Sequence, residues 1–357
     1  MNLDELRKKV DALDDELVRL LNERTKIALE IGKLKDADAG EVFVPARERA
    51  VLDRLRERNE GPLSAGSVEA IYREIMSAAL SLQRKTVVAY LGPQATFTHQ
   101  AARSRFGGSV GYVPAETIGD VFEAVEKKAA DYGVVPIENS TDGAVTHTLD
   151  EFTDTRLKIC AEIYLPISHH VMAAVPREKI RRLYSKPEVF GQSRRWLHEN
   201  MQGVDLVSVS STARGAEMAA GEQDSGAIAS ALAAELYGLN ILAEDIQDMG
   251  GNTTRFLVIG RNYGPPTGRD KTSIFFAVKH RVGALYDSLS TFKKYNINMS
   301  KIESRPSKAK AWEYYFFVDV EGHANEPQVK KALEEMSEHC TLMTILGAYP
   351  RAQDQDA

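Results

Sequence analysis

The stretch Gly250-Gly251-Asn252-Thr253-Thr254-Arg255-Phe256-Leu257-Val258-Ile259 starts with a glycine pair and runs into β-branched and apolar residues. That pattern predicts a turn followed by a strand over Thr253 to Ile259. The residues at the junction also suit small-anion chemistry. A glycine pair lets backbone approach a ligand closely, arginine grips a carboxylate with a planar fork, and a threonine hydroxyl can hand a proton to a leaving group. At this point two readings stand side by side: an ordinary turn into a strand, or the wall of an active site.

Working outward, residues Thr86 to Gly260 alternate short β-rich runs with helical stretches; the runs include Val87 to Tyr90, Tyr132 to Val135, Leu157 to Cys160 and Ala227 to Ala229. This order predicts α/β architecture, with ligands taken at the carboxyl ends of strands. Downstream, Arg261 to Gly268 reads as a Gly/Pro linker. Beyond it the order is strand (Thr272 to Lys279), helix (Gly283 to Tyr295), strand (Ile297 to Ser304), strand (Ala311 to Val320), helix (Glu326 to Glu338) and strand (Thr341 to Tyr349). That βαββαβ order is ferredoxin-like, an α+β arrangement. A polar tail follows Pro350.

Upstream, the spacing changes to helical. Leu3, Leu6, Val10, Leu13, Leu17, Leu20, Leu21, Ile27, Ile31 and Leu34 repeat at the period of one long helix from Leu3 to Lys35. Such a helix is about 50 Å long, more than one small domain covers, so a partner chain is expected against it. Two shorter helices, Pro45 to Asn59 and Ser67 to Gln83, complete an all-helical segment. Arg24 and Lys35 lie three turns apart, about 16 Å, on one face, whereas Arg7 is about 25 Å further back. An antiparallel partner helix would bring its own Arg7 opposite Arg24 if these cations serve a ligand. Otherwise they form a solvated charged face.

The 357 residues suffice for two or three domains, and 45 basic against 51 acidic residues give a net charge of −6. Nucleic-acid binders carry a basic excess, so none is expected as a partner. No run approaches membrane-spanning length and the first residues lack an apolar leader, which predicts a cytoplasmic protein without membrane association. Cys160 and Cys340 lie far apart without histidine or cysteine at ligand spacing, so no disulfide framework, metal or cofactor is implied.

Five stretches carry a family resemblance. Ala89-Tyr90-Leu91-Gly92-Pro93-Gln94-Ala95-Thr96-Phe97-Thr98-His99-Gln100, Val135-Pro136-Ile137-Glu138-Asn139-Ser140-Thr141-Asp142-Gly143, Tyr184-Ser185-Lys186-Pro187-Glu188 through Gln192, Ser210-Ser211-Thr212-Ala213 and Thr254-Arg255-Phe256 resemble, in order, the motifs of prephenate dehydratases. The resemblance covers residues 86–262 and implies a two-lobed, periplasmic-binding-protein-like α/β domain. It also implies that Thr254 gives the proton that lets the ring hydroxyl of prephenate leave. Asn139, Ser140, Gln192 and Ser211 would be its relay, Ser185 and Thr212 cleft residues, and Arg255 either a carboxylate holder or a structural ion pair. Three residues depart from the family: Ala95 replaces a usual glycine, and Lys186 and Glu188 replace histidine and glutamine.

Leu6-Arg7-Lys8-Lys9-Val10-Asp11, Asn22-Glu23-Arg24, Ile31-Gly32-Lys33-Leu34-Lys35, Arg47-Glu48 and Gln83 are similar to the all-helical chorismate mutases, over residues 1–85. That resemblance assigns Arg7 of the partner subunit, Arg24 and Arg47 to the carboxylates of chorismate, Lys35 and Gln83 to its ether oxygen, and Glu48 to its ring hydroxyl. Ala79 stands where some members carry serine. Gly283-Ala284-Leu285 and Glu303-Ser304-Arg305-Pro306 resemble the effector motifs of an ACT regulatory domain, over residues 270–350, with L-phenylalanine as the implied feedback effector. The whole reads as a homodimer or homotetramer that converts chorismate to prephenate and prephenate to phenylpyruvate. Alternative readings are an arogenate-preferring dehydratase, a non-catalytic two-lobed ligand sensor, and a helical segment that serves only as a dimerisation arm.

Overall fold

A computed structural model describes residues 2–37, 45–307 and 313–352, the side chains of 35–37 excepted. The chain forms two compact units, Met1–Val87 with Arg105–Gly111, and Val88–Ser104 with Tyr112–Ala357.

Among the described residues the first unit is built from α1 (Leu3–Ala37), α2 (Pro45–Arg58) and α3 (Ala65–Gln83), with the segment Arg105–Gly111 added to them. Pro45 opens α2, where its missing N–H costs no hydrogen bond. Ser64 caps α3 by accepting from the Ser67 amide at 3.1 Å. Near its carboxyl end α1 packs on α3, where Gln83 Nε2 donates to the Ala28 carbonyl at 2.8 Å. Gly32 makes this approach possible, since a Cβ there would lie 2.9 Å from the Gln83 side chain. By contrast, residues 2–23 are exposed throughout, Leu13 at 64% and Leu17 at 55%.

The second unit begins with β1 (Val87–Leu91), β2 (Gly111–Ala115), β3 (Tyr132–Asn139), β4 (Gly143–Ala144) and β5 (Lys158–Pro166). The chain then builds a second lobe from β6 (His170–Ala173), β7 (Arg182–Ser185), β8 (Asp205–Ser208), β9 (Ser225–Ala229) and β10 (Asn240–Ala243), paired in the order β10-β6-β9-β7-β8. β7 runs parallel to both β8 and β9. β11 (Thr253–Gly260) returns to the first lobe and lies antiparallel between β3 and β5. This is the return that a two-lobed reading of the sequence requires.

β12 (Asp270–Val278), β13 (Met299–Pro306), β14 (Tyr314–Glu321) and β15 (Cys340–Pro350), with helices Ala284–Lys294 and Pro327–His339, form the expected βαββαβ domain. Its core includes Ile274, Phe276, Phe292, Val318, Ala332 and Met336. Gly283 is the cap rather than the first residue of its helix, in the left-handed region at φ 78°. The sequence start of β14 at Ala311 lies outside the described residues.

A Gly/Pro linker suggests separate domains, yet β15 pairs parallel with β5 through Gly347 and Ile159. The result is one continuous sheet ordered β13-β14-β12-β15-β5-β11-β3-β1-β2. A Cβ on Gly347 would stand 2.2 Å from the Ile159 carbonyl oxygen, so only glycine lets the strands meet. Gly347→Ala is expected to destabilise the second unit by about 1–3 kcal/mol, the usual cost of overpacking. Urea unfolding measures this, and an unchanged midpoint would mean that the junction contributes nothing.

Candidate active sites

Arg24 on α1, Arg47 and Glu48 on α2, and Gln83 at the end of α3 line one cavity of about 230 Å³. Their spacing in sequence is wide, but each sits on the helix face that turns toward the other two helices. Ala79, one of the departures from the mutase pattern, is buried in the same wall. Sequence reasoning missed two further guanidiniums there, those of Arg73 and Arg105. Arg73 Nε is buried without a hydrogen-bond partner among the described residues, and Arg105 Nη1 lies 2.7 Å from Glu48 Oε1. Four cations against one carboxylate give the cavity a positive excess, the charge that attracts a compact polyanion. Arg7 is not part of it; its exposed side chain sits 3.7 Å from Asp4 on the same helix. The Lys35 side chain lies outside the described residues.

At the carboxyl end of β3, Asn139 stands opposite Thr254 of β11. Asn139 Oδ1 accepts from the amides of Thr141 and Asp142 at 2.9 and 3.0 Å, which fixes the orientation of the side-chain amide. Its Nδ2 therefore points the other way and donates to Thr254 Oγ1 at 2.8 Å and to Asn252 Oδ1 at 2.7 Å. Because Thr254 Oγ1 accepts from Asn139, its own proton is left for another acceptor. Ser140 Oγ accepts from the Thr253 amide at 3.0 Å and secures the turn.

The other expected dehydratase residues gather in the second lobe, at the carboxyl ends of parallel strands. Ser185 ends β7 and is fully buried, donating to the Ile228 carbonyl at 2.8 Å. Ser211, after β8, caps the helix Thr212–Ala220 by accepting from the Arg214 amide at 3.0 Å, with Thr212 buried beside it. Gln192 Oε1 lies 3.1 Å from His169 Nε2. Sequence reasoning missed His169, the first of the adjacent pair His169-His170, which belongs to no recognised motif. Its ring is buried edge-on against Phe97, its Nδ1 has no partner among the described residues, and burial holds its pKa below the ordinary imidazole value. The segment before β11 ties these groups together: the Asp248 amide donates to the Gln192 carbonyl at 2.7 Å, and the Ile167 amide to that of Asn252 at 2.8 Å.

Ala95, the residue that replaces a family glycine, has φ 68°, the left-handed region where glycine carries no penalty. Its methyl group is compensated by full burial among Met172, Tyr184, Ala213 and Ala229. Lys186 and Glu188, the other departures, lie 3.5 Å from each other, the first half-buried and the second exposed.

Arg255 alternates with Thr254 along β11, so its side chain leaves the opposite face of the sheet. There it is buried, with Nε on Glu162 at 2.9 Å, Nη1 on Asp319 at 2.6 Å and Nη2 on Tyr349 hydroxyl at 3.0 Å. Lys271 Nζ donates to the same Glu162 at 2.7 Å, and Ser273 Oγ to Asp319 at 2.5 Å. Of the two readings of Arg255, the carboxylate holder and the structural ion pair, the second describes it.

Among the expected effector residues, Ala284 is buried at the start of its helix, and Leu285 packs on the core of the βαββαβ domain. Glu303, Ser304, Arg305 and Pro306 lie along β13, paired with β14. The Arg305 guanidinium is engaged by Asp150 of the first lobe at 3.2 Å.

Three family models match along the chain. Residues 6–84 match the family model of chorismate mutase type II, 88–263 that of prephenate dehydratase, and 272–338 that of the ACT domain. The chain is 49% identical to the bifunctional chorismate mutase/prephenate dehydratase of Aquifex aeolicus, over 99% of each. Among solved structures it resembles prephenate dehydratase from Arthrobacter aurescens in complex with L-Phe, with a TM-score of 0.69 and 34% identity, over 76% of this chain and 92% of that one. It also resembles a structure described as GqqA, a novel type of quorum quenching acylase, with a TM-score of 0.70 and 30% identity, over 76% of this chain and 100% of that one. Fold and sites thus define a two-site enzyme with an attached regulatory domain. The chain belongs to the bifunctional chorismate mutase/prephenate dehydratase family.

The buried cluster around Arg255 gives a stability prediction. Burial pushes the Asp319 carboxyl up, but Arg255, the Ser273 hydroxyl and Lys271 outweigh it and hold it below the usual carboxylate range. Its contribution is therefore present above the unfolded value of about 3.9 and is lost as pH falls through the lower folded value. Asp319→Ala leaves Arg255 short of a partner and is expected to cost about 3–5 kcal/mol at neutral pH. Chemical denaturation reads the loss; a change below about 1 kcal/mol would assign the cluster no stabilising role.

Proposed function

We propose that the helical cavity is the chorismate mutase site and that the hydrogen-bonded pair of Asn139 and Thr254, where the ends of β3 and β11 meet, is the dehydratase site. The first reaction is a unimolecular rearrangement, so it needs no nucleophile or base. Arg24 and Arg47, with Arg7 of the partner subunit, hold the two carboxylates of chorismate and favour its compact reactive conformer. As the ether bond breaks, negative charge grows on its oxygen, where Lys35 and Gln83 donate. Gln83 spends one amide hydrogen on Ala28 and keeps the second for that oxygen. Glu48 accepts from the ring hydroxyl.

In the second reaction, the carboxylate of prephenate leaves as carbon dioxide, and the electron pair of its carbon–carbon bond passes into the ring. The ring carbon–oxygen bond breaks, and Thr254 gives its proton so that the hydroxyl departs as water. The resulting threonine oxygen is stabilised by the Asn139 amide and regains a proton from solvent. The observation that carries this reading is the fixed Asn139 amide, which donates to Thr254 and so directs the threonine proton outward. Ser140, Gln192, Ser211, Ser185 and Thr212 supply the polar surroundings.

We further propose feedback by L-phenylalanine at the ACT domain. The left-handed Gly283 caps an eleven-residue helix whose first amides suit a carboxylate, and a 34%-identical relative was solved with L-Phe. The bared α1 fits an antiparallel second copy, which buries its leucines and supplies Arg7 to the cavity. Among the described residues no helix is long and apolar enough to cross a membrane, and Cys160 and Cys340 form no disulfide, which suits a cytoplasmic enzyme.

Incubation with chorismate should yield phenylpyruvate at a rate that phenylalanine lowers. Thr254→Val should abolish phenylpyruvate formation while prephenate accumulates, and Arg24→Ala should stop prephenate formation while supplied prephenate is still converted. Loss of both activities in either variant would overturn the two-site assignment. Leu13→Asp with Leu17→Asp is expected to give a monomer by analytical ultracentrifugation, with mutase activity lost. A wild-type monomer would refute the shared site.

A further inference from the structure

The mutase cavity contains a residue that lies outside the stretch matching the mutase family, which ends at residue 84. Arg105, at the end of the helix Phe97–Phe106, belongs to the compact helical unit and lines its cavity beside Arg24, Arg47, Arg73 and Gln83. Its Nη1 stands 2.7 Å from Glu48 Oε1, and both side chains are largely enclosed, at 18% and 11% exposure.

We infer that Arg105 is a positioning residue of the mutase reaction, acting through Glu48; this rests on the helical cavity being the mutase site. Glu48 follows Arg47 near the start of α2, and its carboxylate has several rotamers available. A charge-assisted hydrogen bond from a planar guanidinium restricts those rotamers and fixes where the carboxylate meets the ring hydroxyl. Without Arg105 the carboxylate swings toward the neighbouring Arg24, Arg47 and Arg73 cations, occupying donors meant for substrate. The mutase site of this chain is thereby completed by a residue encoded within the dehydratase segment, at position 105 of a match that begins at residue 88.

Steady-state kinetics of the full chain on chorismate tests this with Arg105→Ala, Arg105→Lys, Glu48→Gln and the Arg105→Ala/Glu48→Gln double variant, using turnover of supplied prephenate as the check on folding. Arg105→Ala should lower mutase kcat/KM by about 10²-fold, the scale of a catalytic group misplaced by an ångström. Arg105→Lys should recover part of that loss. In the Glu48→Gln background, adding Arg105→Ala should cost nothing further, because the residue it orients is already disabled. Additive losses in the double variant, or an Arg105→Ala enzyme with wild-type mutase kinetics, would overturn the inference. If Arg24→Ala also leaves mutase turnover intact, the cavity assignment itself is wrong. If Arg24→Ala abolishes it while Arg105→Ala does not, only the role of Arg105 falls.

Discussion

The constraint on which the second unit depends is the two-residue period of β11. A strand sends successive side chains to opposite faces, so Thr254 and Arg255 cannot serve the same pocket. Thr254 meets Asn139 at the polar end of the first lobe, and Arg255 enters the buried cluster of Glu162, Lys271, Asp319 and Tyr349. That cluster brings together residues of β5, β11, β12, β14 and β15, so the strand carrying the threonine is anchored on its other face to the regulatory domain. Two cations and two carboxylates balance there, and the hydroxyls of Ser273 and Tyr349 take up remaining hydrogen bonds, as burial demands.

The helical unit solves a different electrostatic problem. Guanidiniums gathered around one cavity repel one another, and among the described residues the buried hydrophobic side chains of α1, α2 and α3 include only small or medium ones such as Val51, Leu52 and Ala79. The apolar stripe of α1 faces outward instead, from Leu3 to Leu34. A second copy would bury that stripe, and the dianionic substrate would offset the excess of positive charge. Folding, assembly and binding would then draw on the same helix, which accounts for cations and leucines interleaved along a single 35-residue element.

Much of the arrangement was legible in the sequence. The 3.6-residue period of α1, the alternation of strand and helix, and the βαββαβ order each follow from local pattern, and Arg24, Arg47, Glu48 and Gln83 meet in one cavity as the mutase resemblance implies. Arg105 and His169 were not legible, because neither carries a motif and each gains its role from a neighbour remote in sequence: Glu48 for one, Gln192 and Phe97 for the other. The continuous sheet was hidden for a similar reason. A Gly/Pro segment reads as a separator, whereas the contact that joins the sheets depends on the missing side chain of Gly347 against the Ile159 carbonyl.

By itself, the sequence determined which elements form, in what order, and which residue types stand where strands end, because periodicity, turns and caps are local. Only the tertiary structure decided which face each side chain leaves by and what it meets. It placed Arg255 in a buried ion cluster rather than against substrate, and it brought Arg105 to Glu48. The physical reason is that hydrogen bonds and ion pairs are made between atoms within about 3 Å of one another, and separation along the chain says nothing about that distance until the strands have paired and the helices have packed.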